Sequence, residues 1–242
     1  MKKYLYVLCA LALLCMGCRT TREKCPAYGT STKTPSSFST MGFFQCYTTA
    51  MGKIDALMKL HEQWQEKCTC QLRYEATQAV IGDGNPEAKI VFIGEAPGKN
   101  EDREGKPFIG AAGKFLSEML ETIGLKRNNV YITNIVKYRP PNNRDPLPEE
   151  IEACKEWLSD ELTLIKPKLI VFLGRHAMNH FFPDEKISKV HGTLLIKTLP
   201  NLGKQHFFAL YHPAAALYNG SLREILKKDF SKIPFHLKKI AT

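Results

Sequence analysis

Residues 90–113 read IVFIGEAPGKNEDREGKPFIGAAG, and this stretch decides the fold. Ile90 to Ile93 is a short unbroken apolar run, the signature of a strand buried on both faces of a parallel sheet. The run breaks at Gly94, and Glu95, Ala96, Pro97 and Gly98 follow. A charged loop leads on to Phe108, set between Pro107 and the glycines at 110 and 113. Polar groups at the carboxyl end of a buried strand are where an open α/β sheet holds its ligand. Gly94 and Gly98 let the backbone approach something closely. A GxxxG alone would mark only a strand-to-helix turn. A carboxylate, a glycine pair, an acidic cluster and an aromatic ring in one loop point to a binding site.

Three more strands extend this pattern. Asn129 to Val136 (NVYITNIV) is apolar with Asn134 near its end, and an amide there is costly unless it is satisfied. Leu169–Leu173 ends at Gly174. Phe207–Leu210 runs into Tyr211-His212-Pro213. Helical periodicity fills the intervals: Lys114 to Gly124, a helix opened by Leu147–Pro148–Glu149–Glu150, His176 to Phe182, and Leu222 to Ile233. A further helix spans Ile54 to Gln65, and Val190–Gly192 opens a mixed stretch. The β-α-β-α-β-α-β-α order predicts an α/β fold: a three-layer α/β/α sandwich with a central four-stranded parallel sheet. Glu95, Asn134, Gly174 and His212 then share one rim. His61, His176, His180, His191, His206 and His236 are read as structural.

The chain has 242 residues and a net charge of +10. Half of that charge lies in residues 1–50, so the remainder is only modestly basic, which suits a polyanion partner without demanding one. Lys2-Lys3, an apolar stretch from Tyr4 to Met16 and Gly17-Cys18 have the layout of a signal-like or lipoprotein-like leader. Residues 19–50 read as a linker and 51–242 as the domain. A translation start at Met41 or Met51 would remove the leader. Of eight cysteines, only Cys68, Cys70 and Cys154 fall in the domain, too few for a disulfide framework.

A nucleobase suits the rim. An Asn amide offers an acceptor and donors to the N3–H and O4 edge of uracil. A Phe offers a stacking face. A His can stabilise negative charge on O2, and a carboxylate or a second Asn can hold a water. These parts match hydrolysis of an N-glycosidic bond, with the base first taken out of the stack.

Gly94–Gly98 (GEAPG), Glu101-Asp102, Gly105–Gly110 (GKPFIG), Tyr131–Lys137 (YITNIVK), Arg139–Arg144 (RPPNNR) and Tyr211–Leu217 (YHPAAAL) together resemble the uracil-DNA glycosylase superfamily. The resemblance is closest to the family 4, thermophile-type branch and runs from about Cys68 to Phe230. It implies an enzyme that releases uracil from DNA and leaves an abasic site. Glu95 lies in the water-activating motif, and Asn143 is a second candidate for positioning water or sugar. Gly94 and Ala96 belong to the substrate loop. Glu101 closes the pocket against the thymine methyl, Phe108 stacks on uracil, Asn134 reads its edge, and His212 stabilises the departing anion. Lys137, Arg139 and Arg144 would meet phosphates, and Ala214 to Leu217 would fill the gap left by the flipped base, with Leu217 as the wedge. Phe108 also fits a core position, and Leu217 fits a core position as well as a wedge.

Family 4 enzymes hold a [4Fe–4S] cluster on four cysteines. Here the matching positions are Lys67, Cys70, Tyr138 and Cys154, with Cys68 one residue out of register. Lys and neutral Tyr are poor substitutes for thiolates. No intact cluster is expected, no cofactor is needed for catalysis, and Tyr138 is expected to fill the space. The expected partner is uracil-containing DNA, met by a cytoplasmic monomer with no obligate protein partner. Two alternatives remain: a non-catalytic DNA-binding module of the same fold, or a membrane-tethered protein that reuses it.

Overall fold

The computed structural model describes residues 41–241, with side chains from 52 to 240. The readings of 1–18 as a leader and of 19–40 as linker lie outside the described residues. Residues 41–50 are helical rather than linker: α1, Met41–Lys67, runs straight through the expected boundary at 50. The elements that follow are β1 (Asp83–Gly84), β2 (Ile90–Gly94), α2 (Lys99–Glu104), α3 (Ala111–Thr122), β3 (Tyr131–Asn134), α4 (Pro148–Ile165), β4 (Leu169–Leu173), α5 (Arg175–Phe181), α6 (Ile187–Val190), β5 (Leu194–Leu199), β6 (Gly203–Leu210), α7 (Pro213–Tyr218), α8 (Gly220–Phe230) and α9 (Ile233–Ala241).

The sheet order is β1-β3-β2-β4-β6-β5. The four expected strands β3, β2, β4 and β6 are mutually parallel. Two antiparallel edge strands enlarge the sheet: β1 beside β3 and β5 beside β6. Neither edge carries a buried apolar run. β1 has two residues, and β5 has Lys197 and Thr198 exposed in its middle. The helix expected over Leu222 to Ile233 breaks into α8 and α9 between Phe230 and Ile233.

Alternation along the strands divides the core between the two faces of the sheet. Val91, Ile93, Ile170, Phe172, Phe207 and Ala209 pack with α1, α4 and α5. Ile90, Phe92, Val171, Leu173, Phe208 and Leu210 pack with α3, α7, α8 and α9. β2 lies at the middle, with β3 on one side and β4 on the other. The chain leaves β2 for β3 and then crosses over to β4, so the carboxyl ends of β2 and β4 flank a switch point, the usual place for a ligand crevice.

One expected surface residue is buried. Lys137, read as a phosphate contact, has no exposed side chain, and its Nζ lies 2.5 Å from Glu161 Oε2 on α4, also fully buried. Tyr131 Oη and Thr133 Oγ1 donate to the same carboxylate, each at 3.0 Å. Tyr131 Oη also lies 3.3 Å from His61 Nε2, and Trp157 donates to His61 Nδ1 at 3.0 Å. Lys137 therefore ties β3 and the segment after it to α4, on the face of the sheet that α1, α4 and α5 cover. Burial pushes the Glu161 carboxyl up, but Lys137 and its other partners hold it below its ordinary range. Lys137→Met strands a buried carboxylate and is expected to cost about 3–5 kcal/mol. Pairing it with Glu161→Leu should recover most of that loss in urea unfolding. A single variant as stable as the native chain would disprove the pairing.

Candidate active site

A cavity of about 360 Å³ opens at the carboxyl ends of β2, β3 and β6. Glu95, Ala96, Glu101, Phe108, Asn134, Asn143, Arg144, His212 and Ala214 line it, so the fold gathers residues spread over 120 positions of the chain.

At its floor lies Asn134, 1% exposed, with its Oδ1 buried and without a hydrogen-bond partner. A buried acceptor left unpaired costs roughly 1–3 kcal/mol. It is tolerated where a ligand supplies the missing donor. Gly94, one strand across, makes room for it. A Cβ at Gly94 would collide with Asn134 Oδ1 and lie 2.5 Å from Phe108 Cζ. Only glycine lets the amide and the ring close over this point.

Phe108 is held in a left-handed backbone conformation, φ 53°. A bulky residue adopts it only when its surroundings enforce it. Glu101 Oε1 accepts from the Ile109 and Gly110 amides at 3.0 and 2.7 Å. Arg127 donates to the Phe108 carbonyl at 2.8 Å and to the Pro107 carbonyl. Gly113 is bare where a Cβ would strike the Phe108 carbonyl. Glu101 thus lines the cavity and shapes the loop that carries the ring. Arg127 was missed in the sequence because it lies in the turn before β3, 19 residues beyond the ring it clamps, with no motif around it.

His212 faces Phe108 across the cavity, ring centroids 5.7 Å apart. Its Nδ1 accepts from the Ala214 amide at 3.1 Å, capping α7. In the neutral ring the proton therefore sits on Nε2. Burial, and then the charge of His176, lower its pKa to about 4.

Glu95 stands at the end of β2, where burial pushes its carboxyl above the ordinary range. Its neighbours are His176 on α5 and Asp145 before α4. His176 Nε2 is 3.9 Å from Glu95 Oε2 and 3.2 Å from Asp145 Oδ2. The first turn of α5, just beyond Gly174, thus places His176, read as structural, beside Glu95 and Asp145.

The remaining residues are distributed around the rim. Asn142 and Asn143 are both left-handed, and Arg139 Nε donates to Asn143 Oδ1 at 2.8 Å. Arg144, expected at phosphates, gives both terminal nitrogens to Glu150, at 2.8 and 2.6 Å. Its guanidinium is engaged in holding the loop to α4. Ala214 lines the cavity, and Leu217 is 37% exposed at the far end of α7, not in the core.

Comparison with known proteins agrees with this geometry. The family model for the uracil DNA glycosylase superfamily matches residues 81–235. The chain belongs to the uracil-DNA glycosylase superfamily. It is 50% identical over 170 residues to a type-4 uracil-DNA glycosylase of Archaeoglobus fulgidus, covering 68% of this chain and 84% of that one. It is 48% identical over 186 residues to that of Sulfurisphaera tokodaii, with 74% and 84% covered. For Thermotoga maritima the identity is 41% over 190 residues, with 76% and 97% covered.

For this superfamily member the cysteines matter. Cys68, Cys70 and Cys154 are all buried and unbridged. Cys68, out of register in the sequence, is drawn in beside Cys154: its thiol donates to the Ala153 carbonyl at 3.6 Å, and hydrogen bonding with Cys154 lowers its pKa against the effect of burial. Tyr138 packs edge-on to Trp157, ring centroids 6.3 Å apart, in the same core. Burial, then Cys68, raise its hydroxyl to about 12, so it is a neutral phenol. Among the described residues no helix is long and apolar enough to cross a membrane.

Proposed function

We propose that this chain hydrolyses the N-glycosidic bond of uracil in DNA, releasing uracil and leaving an abasic site. The observation that carries the reading is the unpartnered Asn134 Oδ1 at the floor of the cavity. Uracil N3–H supplies the donor it lacks, while the amide nitrogen donates to O4; cytosine has no proton at N3 and leaves the acceptor unpaired. Phe108 stacks on the flipped base. Neutral His212 donates from Nε2 to O2 as the C1′–N1 bond breaks and charge gathers on the ring. Glu95, as the carboxylate, holds the water that adds to C1′, with Asn143 beside it. The base must leave the helix first, and Leu217 enters the gap it leaves. Arg139 and the Ala214 end of α7 lie on the side where the DNA backbone passes.

No step runs through an iron–sulfur cluster. A [4Fe–4S] cluster of the family 4 kind needs four thiolates, and the donor set here is three thiols and a neutral phenol, which does not fit. The domain works as a monomer in the cytoplasm, where its DNA is.

The test uses the full-length protein, prepared without air, and an oligonucleotide carrying one uracil, with alkali to cleave abasic sites. Strand cleavage at uracil and none at thymine supports the glycosylase. DNA binding without cleavage would make it a non-catalytic module. The same preparation should hold no iron or acid-labile sulfide; stoichiometric iron would overturn the reading of the thiol site.

A further inference from the structure

The ring that faces the base is carried by a loop, not by the sheet. Phe108 lies between α2 and α3 with a φ of 53°. A bulky residue keeps that conformation only where its surroundings hold it. Arg127 supplies much of the hold. Its terminal nitrogens take two successive carbonyls: Nη1 donates to Phe108 at 2.8 Å and Nη2 donates to Pro107. Its Nε lies 3.5 Å from Asp83 Oδ2 on β1. The planar, permanently charged fork of a guanidinium suits this task, because it presents parallel N–H groups to two acceptors at once. Glu101 grips the other side of the loop through the Ile109 and Gly110 amides.

We propose that Arg127 is a positioning residue for uracil release: its guanidinium keeps the Phe108 backbone left-handed and so keeps the ring where it stacks on the base that Asn134 reads. The inference rests on Phe108 being the ring that stacks on uracil. Arg127 lies outside the cavity lining, so it acts through Phe108 and not by touching the base. Without it the Pro107 and Phe108 carbonyls lose their charged donor. Phe108 then relaxes towards the ordinary negative φ, and the ring turns away from its stacking place. Glu101 still holds the following amides, so the loop persists and the loss falls on the ring.

The place of Arg127 in the chain gives this clamp its reference frame. It opens the tight turn Arg127–Asn129, which is itself fixed: Asn129 Oδ1 accepts from the Lys126 amide at 2.8 Å, and the Asn129 amide donates to the Lys126 carbonyl at 2.9 Å. β3 begins two residues later and ends at Asn134. Arg127 therefore ties the strand that carries Asn134 to the loop that carries Phe108. Those two groups close on one point, since a Cβ at Gly94 would strike both the Asn134 Oδ1 and the Phe108 ring. A small shift of either would open the slot the base must fill. The Arg127 side chain is 26% exposed, so its replacement is expected to leave the fold standing.

The experiment measures single-turnover uracil release from a single-stranded oligonucleotide by the full-length protein, its inhibition by added free uracil, and the melting temperature. It compares the native chain, Phe108→Ala, and Arg127→Met and Arg127→Lys, each alone and combined with Phe108→Ala. Stacking of a base on an aromatic ring is worth about 5–150-fold in binding. Arg127→Met should therefore slow release by about tenfold and weaken inhibition by uracil by a similar factor. Arg127→Lys keeps the charge but not the fork, so it should fall between native and Met. In the Phe108→Ala background neither Arg127 variant should change the rate or the inhibition further, whatever it does to the melting temperature. Equal fold losses in both backgrounds would mean that Arg127 supports the fold and not the ring, and would overturn the proposal. So would an Arg127→Met protein as fast as the native one, or a Phe108→Ala protein as fast, which removes the group through which Arg127 acts. Each of these failures leaves the glycosylase reading standing, because the native chain still releases uracil. A native chain that releases none would take down that reading and this one with it.

Discussion

His212→Ala lowers the single-turnover rate of uracil release by about 10²–10³-fold at pH 7, with DNA affinity little changed. The size follows from the role. A preorganised donor aimed at developing negative charge, in a site closed to water, is worth roughly 3–4 kcal/mol. His212 is preorganised in two ways: Ala214 N–H fixes its tautomer at Nδ1, and the ring is packed against Phe108. A neutral donor suffices because the charge it meets arises only as the bond breaks. The pH dependence has a definite sign. Burial and then His176 hold the pKa of His212 at about 4, so the neutral ring is present above that value and lost below it. Release should therefore show no loss due to His212 between pH 7 and 5. If His212 acted as an imidazolium, the rate would instead climb as the pH fell through that range. His212→Asn, which keeps a donor but not its placement, should fall between the native chain and alanine. Equal rates for native and alanine proteins would remove His212 from the chemistry.

The fold and most of the site were legible in the sequence because both are written in local patterns. β2, β3 and β4 are buried on both faces, so β2 and β4 are continuous apolar runs stopped by glycine, and β3 is an apolar stretch interrupted only by Thr133 and Asn134. Once those runs and β6 are parallel, Glu95, Asn134 and His212 must share a rim. The edge strands were not legible, since β5 is paired on one side only and half exposed, and its sequence carries no buried run. Lys137 was misread for a related reason. The family resemblance put Lys137 at a phosphate, but its partner Glu161 lies 24 residues away, on the buried side of α4. Arg144 was half legible: its place at the rim follows from the motif, whereas its commitment to Glu150 depends on where α4 begins. The place of His176 beside Glu95 escaped because β4 stops before Gly174, and the side chain comes from the first turn of α5. In each case a long-range partner decided the outcome, and no local pattern announces such a partner.

Asn134→Ala separates function from stability most sharply. Uracil release should fall by at least about 10²-fold, because the bond to N3–H and the donor to O4 are lost together, and O4 shares the charge of the leaving anion. The unfolding free energy should move the other way. In the free protein Oδ1 is a buried acceptor with no partner, and such a group costs roughly 1–3 kcal/mol. Removing it leaves space that opens on the cavity, where water can enter, so the penalty for an empty void is small. The variant should therefore be no less stable than the native chain in urea, and more stable by up to about 1 kcal/mol. A core asparagine with a structural role would show the reverse: lowered stability, with activity falling only as the folded fraction falls. Gly94 provides the matching control. A methyl there would push on both Asn134 Oδ1 and Phe108 Cζ, so Gly94→Ala should lower uracil release and stability together. Loss of activity with stability preserved at 134, and loss of both at 94, is the pattern that an amide kept unpaired for a base requires. A marked drop in stability for Asn134→Ala would show that the amide is holding the protein together and not waiting for uracil.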